Sequence, residues 1–483
     1  MSPFGALLPT SRLNPGLNWM WRWRNTVYPK FGTETISIIP YIFGQPTICT
    51  RSLQVAKQMV SPKGDFIKGE EISAPVIEFG HNLFSVEGEE WKRHRRILNP
   101  AFTPSTYALV WEETSHIYDE IITSEGWSSR SDVLVENVTD LTMKFALVVI
   151  SRCGFGNRIP WDFTEGAASS MSFAQALVVV SNSNLLRMLL PRSCVSMQID
   201  MLLIRIQDIE QAFVTLDSYM ANLIQSKRES IKLEQENSGA LPRQTSNDIF
   251  THMIRASEGE GKLALKDSEL AGNTFLMLFG GHDTTAHTLQ AAVGLLALYQ
   301  EHQEEVYQQI MEVSPKHVSE LTFQNASRLF KVRAAFLEGA RLFPAVQMML
   351  RDAQKDSVLQ NVGPDEEMTI PVPKGTRLVV DIVGVQYNER YHPDPEAYKL
   401  ERWYDTSEND MTMFSFGPRS CIGRRFALTE TTCFLARLLR DWRLDVILEK
   451  GETREQWRAR AMQTKAFMTL RVNDFPVRLV RRR

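Results

Sequence analysis

The chain has 483 residues, 43% hydrophobic and 23% charged, a composition that excludes a disordered or fibrous protein. Lys and Arg number 54 against 57 Asp and Glu, a net charge of −3, so there is no basic field to hold nucleic acid by counterion release, and no nucleic-acid partner is expected. Cys49, Cys153, Cys194, Cys421 and Cys433 are odd in number and form no C-x-x-C pair, which speaks against a disulfide scaffold or structural zinc and for a reducing compartment.

No run of apolar residues is long enough to predict a membrane span, and Met1 to Asn18 lacks the pattern of a signal peptide. Trp19-Met-Trp21-Arg-Trp23-Arg24 has two readings. Indole rings beside cations suit the headgroup level of a membrane surface, whereas a first helix burying alternate tryptophans is the commoner use of large aromatics. Strand patterns are confined to residues 34–39, 46–51, 375–383 and 467–480, and helical periodicity fills most of the rest. The predicted fold class is mainly α with small β-sheets.

In Trp91-Lys-Arg-His-Arg95-Arg96, Trp91 and Arg95 share a helix face at i,i+4, so an indole N–H and a guanidinium can converge on one anionic group. Lys92, Arg93 and Arg96 form a basic face, either simply solvated or steering an acidic partner. Residues 226–247, polar and containing Gly239 and Pro242, read as an exposed connection.

Residues 270–299 are apolar nearly all round and predict a core helix about 45 Å long, capped by Asp267-Ser268. Within it, Gly280-Gly281-His282-Asp283-Thr284-Thr285 carries two glycines, each costing roughly 1 kcal/mol relative to alanine in a helix. Such a pair opens a gap against a flat ligand, with Asp283 as proton source and Thr284 as hydroxyl relay beside it. A bond from Thr284 to the i−4 carbonyl is the plain structural alternative. His282 and His287 fall roughly 140° apart around a helix, poor for joint metal ligation. A second helix, 327–342, places Glu338 and Arg341 on one face before Pro344 stops it, and Arg351 follows on a returning strand.

Near the C-terminus stands Phe414-Ser-Phe-Gly417-Pro-Arg419-Ser-Cys421-Ile-Gly423, ahead of a helical pattern. A cysteine where a loop enters a helix meets unpaired N–H groups and the positive end of the helix dipole, which favour thiolate and metal ligation. Gly417 supplies backbone freedom, Gly423 lets a flat ligand approach, and Arg419 can reach an anionic group at its edge.

This stretch resembles the haem-binding loop of the cytochrome P450 family, F-x-x-G-x-R-x-C-x-G, with Phe414 lying against the loop. Gly280 to Thr285 is similar to that family's oxygen-activation motif, and Trp91 with Arg95 to its W-x-x-x-R. Glu338 and Arg341 match E-x-x-R, completed by Arg402 in Leu400-Glu401-Arg402-Trp403, where Leu400 replaces the family's proline. The resemblance covers nearly the whole chain and implies one catalytic domain over 1–483, with a long central helix over haem b and residues 1–30 membrane-proximal, opening where the family's anchor helix would end. It implies Cys421 as the axial iron ligand. Trp91, Arg95, Arg351 and Arg419 would meet the haem propionates; Phe414, Gly417, Gly423, Gly280 and Gly281 would shape the cofactor site. Asp283 and Thr284 would be catalytic, and Glu338, Arg341 and Arg402 a structural lock.

The implied activity is insertion of one oxygen atom of O2 into a hydrophobic small molecule. Pocket positions would be the loop 75–84, Phe279, Val346 in segment 345–349, and Phe467. No dinucleotide motif follows a strand, so electrons should come from NADPH through cytochrome P450 reductase, with cytochrome b5 as a further donor. The expected location is the cytoplasmic face of the endoplasmic reticulum, against the membrane surface. The motif wording is most like fungal members acting on terpenoids or other secondary metabolites. Two alternatives share these residues: an isomerase or dehydratase of the same fold, and a haem-based sensor.

Overall fold

The structure, a computed structural model, describes residues 11, 14, 16 and 18–482, apart from 41–43, 62–64, 163–170, 190–199, 238–247, 259–263, 363–366 and 467. Phe467 and Cys194 therefore lie outside the described residues.

The first helix, α1 (Trp19–Arg22), settles the tryptophan cluster. Trp19 and Met20 are buried, Trp21 stacks on Phe343 with centroids 5.1 Å apart, and Arg24 covers Trp21 while pairing with Glu396 at 3.0 Å. These rings are used for protein packing. Strands β1 (Thr35–Ile38), β2 (Thr47–Thr50) and β3 (Phe66–Ile67) follow, then α2 (Gly88–Leu98), α3 (Pro104–Ser124), β4 (Asp132–Val135) and α4 (Val138–Val149), which runs into a π-helical turn over Ile150–Gly154. Next come α5 (Asp200–Asn237), α6 (Asp267–Leu298) and α7 (Phe330–Leu342). Strands β5 (Met348–Ala353), β6 (Ser357–Val362), β7 (Glu367–Val372) and β8 (Arg377–Asp381) precede α8 (Arg424–Asp441), and the chain ends through β9 (Trp442–Val446), β10 (Thr464–Ala466), β11 (Leu470–Val472) and β12 (Val477–Arg481).

The strands form small sheets on the flanks of a helical body. The largest has the order β1-β2-β8-β5-β3, with β2 and β8 parallel and the other pairs antiparallel. β6 and β7 make a hairpin, β4-β12-β9 a second sheet, and β10-β11 a short hairpin against α6. The main core gathers around α6, which is buried along most of its length and packs on α4, α5, α7 and α8. No described helix is long and apolar enough to cross a membrane.

Three predicted boundaries shift. α5 runs on to Asn237 through part of the stretch read as a connection, because Ile231 is buried and Lys227 and Arg228 pair with Asp248 and Asp267 at 2.9 and 2.5 Å. α7 starts at Phe330, after a 3-10 segment over Phe323–Arg328. α6 starts at Asp267, its first turn closed by the Glu269 carboxylate, which accepts from the Lys266 amide at 2.9 Å.

Glu338 on α7 joins distant parts of the chain. Its carboxylate accepts two bonds from Arg341, both at 2.8 Å, one from the Trp403 indole at 2.8 Å, one from Arg402 at 3.3 Å and one from the Lys399 amide at 3.1 Å. Arg341 is fully buried and also donates to the carbonyls of Gln386 and Ala397. Since a buried pair is worth most through the cost of breaking it, Glu338→Ala should lower unfolding free energy by about 3–5 kcal/mol. A urea titration followed by tryptophan fluorescence checks this.

Candidate active site

The site is built from the loop before α8, the middle of α6, the start of α2 and strand β5. Within the loop, the Cys421 amide donates to the Phe414 carbonyl at 2.9 Å, closing a tight turn. Ser415 takes φ +63° and Gly417 φ +74°, backbone angles that favour glycine and mark a strained loop. A Cβ on Gly417 would also come within 3.0 Å of Val60.

Cys421 is the one exposed cysteine among those described; Cys49, Cys153 and Cys433 are buried. Yet protein atoms surround its sulfur, which pushes the thiol up, while the amides of Gly423 and Arg424 and the guanidinium groups of Arg95 and Arg424 pull the other way. The exposed sulfur therefore faces a space within the molecule, with donors aimed at it, and favours a cationic partner. Gly423 lies beside it, its Cβ position 4.0 Å from Sγ.

Around this loop several cations are only partly matched by anions. Arg419 pairs with Glu87 at 2.6 Å and lies 4.8 Å over the Trp91 ring, but its buried Nη1 has no partner. Among the described residues, buried Arg351 bonds only the neighbouring Leu350 carbonyl, and Arg95 donates to the Ser420 carbonyl at 3.2 Å. Sequence reasoning missed Lys68, whose buried Nζ sits 3.5 Å over the Phe84 ring and donates to the Phe84 carbonyl. Burial, with Arg419 and Arg351 nearby, drives the Lys68 ammonium well below its ordinary pKa, and burial alone brings Arg351 down; Arg419 falls to about 10. Among the described residues, Glu87 is the only acid offsetting Lys68, Arg351 and Arg419, which leaves one positive charge in excess, and two when Lys68 is protonated. A dianion such as the paired propionates of haem b fits that excess. Lys68 carries no motif; it follows the short strand β3, which pairs with β5, and its amide donates to Glu87 at 3.2 Å.

The glycines of α6 divide their work. A Cβ on Gly280 would meet nothing within 4 Å, the opening expected against a flat ligand. Gly281 differs from expectation: its Cβ would strike Ile150 at 2.7 Å, so this glycine lets α6 close on the π-helical turn. Thr284 donates to the Gly280 carbonyl at 2.7 Å, the local back-bond, beside that opening. Asp283 is buried, accepts a bond from Thr469 and faces His287, while His282 packs toward Met143 with its pKa lowered by burial to about 4.

Phe279 ends a row of rings: it stacks on Phe275 at 5.9 Å, Phe275 meets Phe79 at 4.5 Å, and Phe79 stacks on Phe213 at 5.6 Å. Val346 is 44% exposed after the Pro344 turn. The basic face of α2 is narrower than its sequence suggests. Arg93 is tied to Glu269 and the Ala264 carbonyl, leaving Lys92, which pairs with Glu89, and Arg96 outside.

The family model described as Cytochrome P450 matches residues 39–470. The chain belongs to the cytochrome P450 family. It is 36% identical over 467 residues to "Cytochrome P450 monooxygenase 124" of Postia placenta, covering 94% of this chain and 86% of that one. It is 26% identical to "Cytochrome P450 monooxygenase prx9" of Penicillium rubens, over 93% of this chain and 84% of that protein. A solved cytochrome P450DA heme domain superposes with a TM-score of 0.75 over 97% of this chain and 94% of its own, at 19% identity. As a P450, the protein is an oxidoreductase of the monooxygenase class, and the family implies haem iron held by a cysteine thiolate.

Two contrasts test the site. Gly281→Ala should destabilise by about 1–3 kcal/mol through overpacking, partly relieved by adding Ile150→Ala, whereas Gly280→Ala should be neutral or gain up to about 1 kcal/mol of helix propensity; thermal melts separate them. Lys68→Met should speed haem loss by roughly tenfold or more if a charged hydrogen bond of about 1.5–3 kcal/mol is removed, as read by haem transfer to apomyoglobin.

Proposed function

We propose that this P450 inserts one atom of dioxygen into a hydrophobic small molecule, a terpenoid or other fungal secondary metabolite. Its electrons come from NADPH through cytochrome P450 reductase, with cytochrome b5 as a further donor, at the cytoplasmic face of the endoplasmic reticulum. The observation that carries the reading is the pairing of two features. Cys421 presents a donor-surrounded sulfur, and the Gly280 opening on α6 has Thr284 and Asp283 next to it. Haem bound here supplies the electron-rich iron–thiolate chemistry that cleaves dioxygen.

The chain's own residues do the rest. Cys421 would hold the iron, and Trp91, Arg95, Arg351, Arg419 and Lys68 would hold the propionates. Thr284, by donating to the Gly280 carbonyl, keeps its oxygen lone pairs free to accept a proton-carrying donor beside the opening. Asp283 is the nearest buried acid on the same helix and can supply protons to that point. Phe279 and Val346 would contribute apolar wall, excluding water and selecting an apolar guest. The fungal relatives, each named a cytochrome P450 monooxygenase, support the reaction class by their likeness over most of the chain.

Reconstitution with reductase, NADPH and isotopically labelled dioxygen tests this. One labelled atom should enter the organic product, with mass spectrometry over a terpenoid panel as the readout. Conversion without reductase would favour the isomerase or dehydratase reading, and oxygen binding without turnover the sensor. Thr284→Ala should keep haem but divert most reducing equivalents to hydrogen peroxide; unchanged coupling would remove Thr284 from proton delivery.

A further inference from the structure

Asp283 is held from two sides. Its Oδ2 accepts the Thr469 hydroxyl from the turn before β11, and its Oδ1 faces Nε2 of His287, one helical turn further along α6, at 3.6 Å. His287 is 2% exposed, and neither ring nitrogen has a hydrogen-bond partner among the described residues. A buried imidazole with both nitrogens unsatisfied costs about 1–3 kcal/mol per group, so packing alone favours an apolar side chain here. What the imidazole offers that an apolar residue lacks is a donor aimed at the carboxylate, needing only a small rotamer change to close the gap.

We propose that His287 is a positioning residue for Asp283: its Nε2–H donates to Asp283 Oδ1 and thereby sets how readily this carboxyl takes up and releases protons during turnover. The proposal deepens the monooxygenase reading and rests on it. The groups facing the pair are His282 on α6, Thr469, and Arg471 on β11, the last within electrostatic reach of Asp283 and of Asp474. Burial on its own pushes the Asp283 carboxyl up, but His287, Thr469 and His282 together bring it below its ordinary value. The sign follows. With His287 in place the carboxylate is ionised at neutral pH and must be protonated from solvent before it can deliver a proton. Without His287 the largest influence opposing desolvation is gone, and the carboxyl retains its proton to higher pH than it does with His287 in place.

The test compares His287→Phe, which fills the ring volume without a donor, with His287→Asn, which keeps a neutral donor. Haem uptake and the reduced carbon monoxide spectrum first establish that each variant is loaded. Infrared difference spectra of the resting proteins, with Asp283→Asn to assign the band, should show the protonated Asp283 carboxyl persisting about one pH unit higher in His287→Phe, a tenfold change in proton affinity. The fraction of NADPH recovered as product should fall severalfold in His287→Phe and recover in His287→Asn. If His287→Phe does not load, His287→Leu takes its place against the same conservative variant. An Asp283 band and a coupling–pH profile like the unmodified protein's in the donor-less variant would overturn the proposal. Absence of any NADPH-dependent oxygen incorporation in the unmodified protein would instead overturn the monooxygenase reading, leaving the infrared comparison to decide the His287 contact by itself.

Discussion

A sulfur anion inside a protein is costly unless its charge is met, and much of this structure serves to meet it at Cys421. Burial alone would keep the side chain a neutral thiol. Against this, the amides of Gly423 and Arg424 and the nearby positive charges of Arg95 and Arg424 favour the anion, while the side chain stays exposed. On the proposed reading a bound haem iron would supply the balancing cation, and the opening beside Gly280 would leave room for the cofactor. The same cofactor carries two carboxylates, and the excess positive charge around Lys68, Arg351 and Arg419 is what those carboxylates would neutralise. On the proposed reading, the sulfur that would hold the iron and the cations that would hold the propionates are two halves of one electrostatic arrangement.

The surrounding architecture holds those halves at a fixed separation. α6 carries the opening with Asp283 and Thr284 beside it, and α8 carries the cysteine loop at its N-terminus. Gly281 lets α6 close on the turn at Ile150, and the Glu338 cluster pins α7 to the segment ahead of the cysteine loop. A buried ion cluster of this kind gains little net energy over an apolar core but punishes any rearrangement that separates its members. That suits a scaffold whose task is to keep a cofactor's two faces distinct.

Much of this was legible in the sequence, unevenly. The Cys421 loop, the Glu338–Arg341 pair and the apolar central helix are encoded locally, so spacing alone places them. The hairpin β6–β7 and strands β4 and β9 were not foreseen: each strand is only four to six residues long, and β4 and β9 are joined only through β12, which for β4 is more than three hundred residues away. The helical extension through Ser226 was hidden by its charge, which spacing cannot distinguish from a solvated loop until Asp248 and Asp267 appear as partners. Within the site, Lys68 and His287 escaped notice as functional groups for the same reason: one is delivered by strand pairing across nearly three hundred residues, the other gains meaning only when Thr469 reaches its helix. Gly281 shows the converse, a residue whose motif position suggested a cofactor contact and whose neighbour is a side chain.

The central claim is that Cys421 binds the iron of a haem through sulfur. X-ray absorption at the iron edge of the purified, haem-loaded protein tests it most directly. One sulfur neighbour alongside the porphyrin nitrogens, lost in Cys421→Ser, is the result expected; an iron surrounded only by nitrogen and oxygen, or a sulfur signal that survives the substitution, would contradict it.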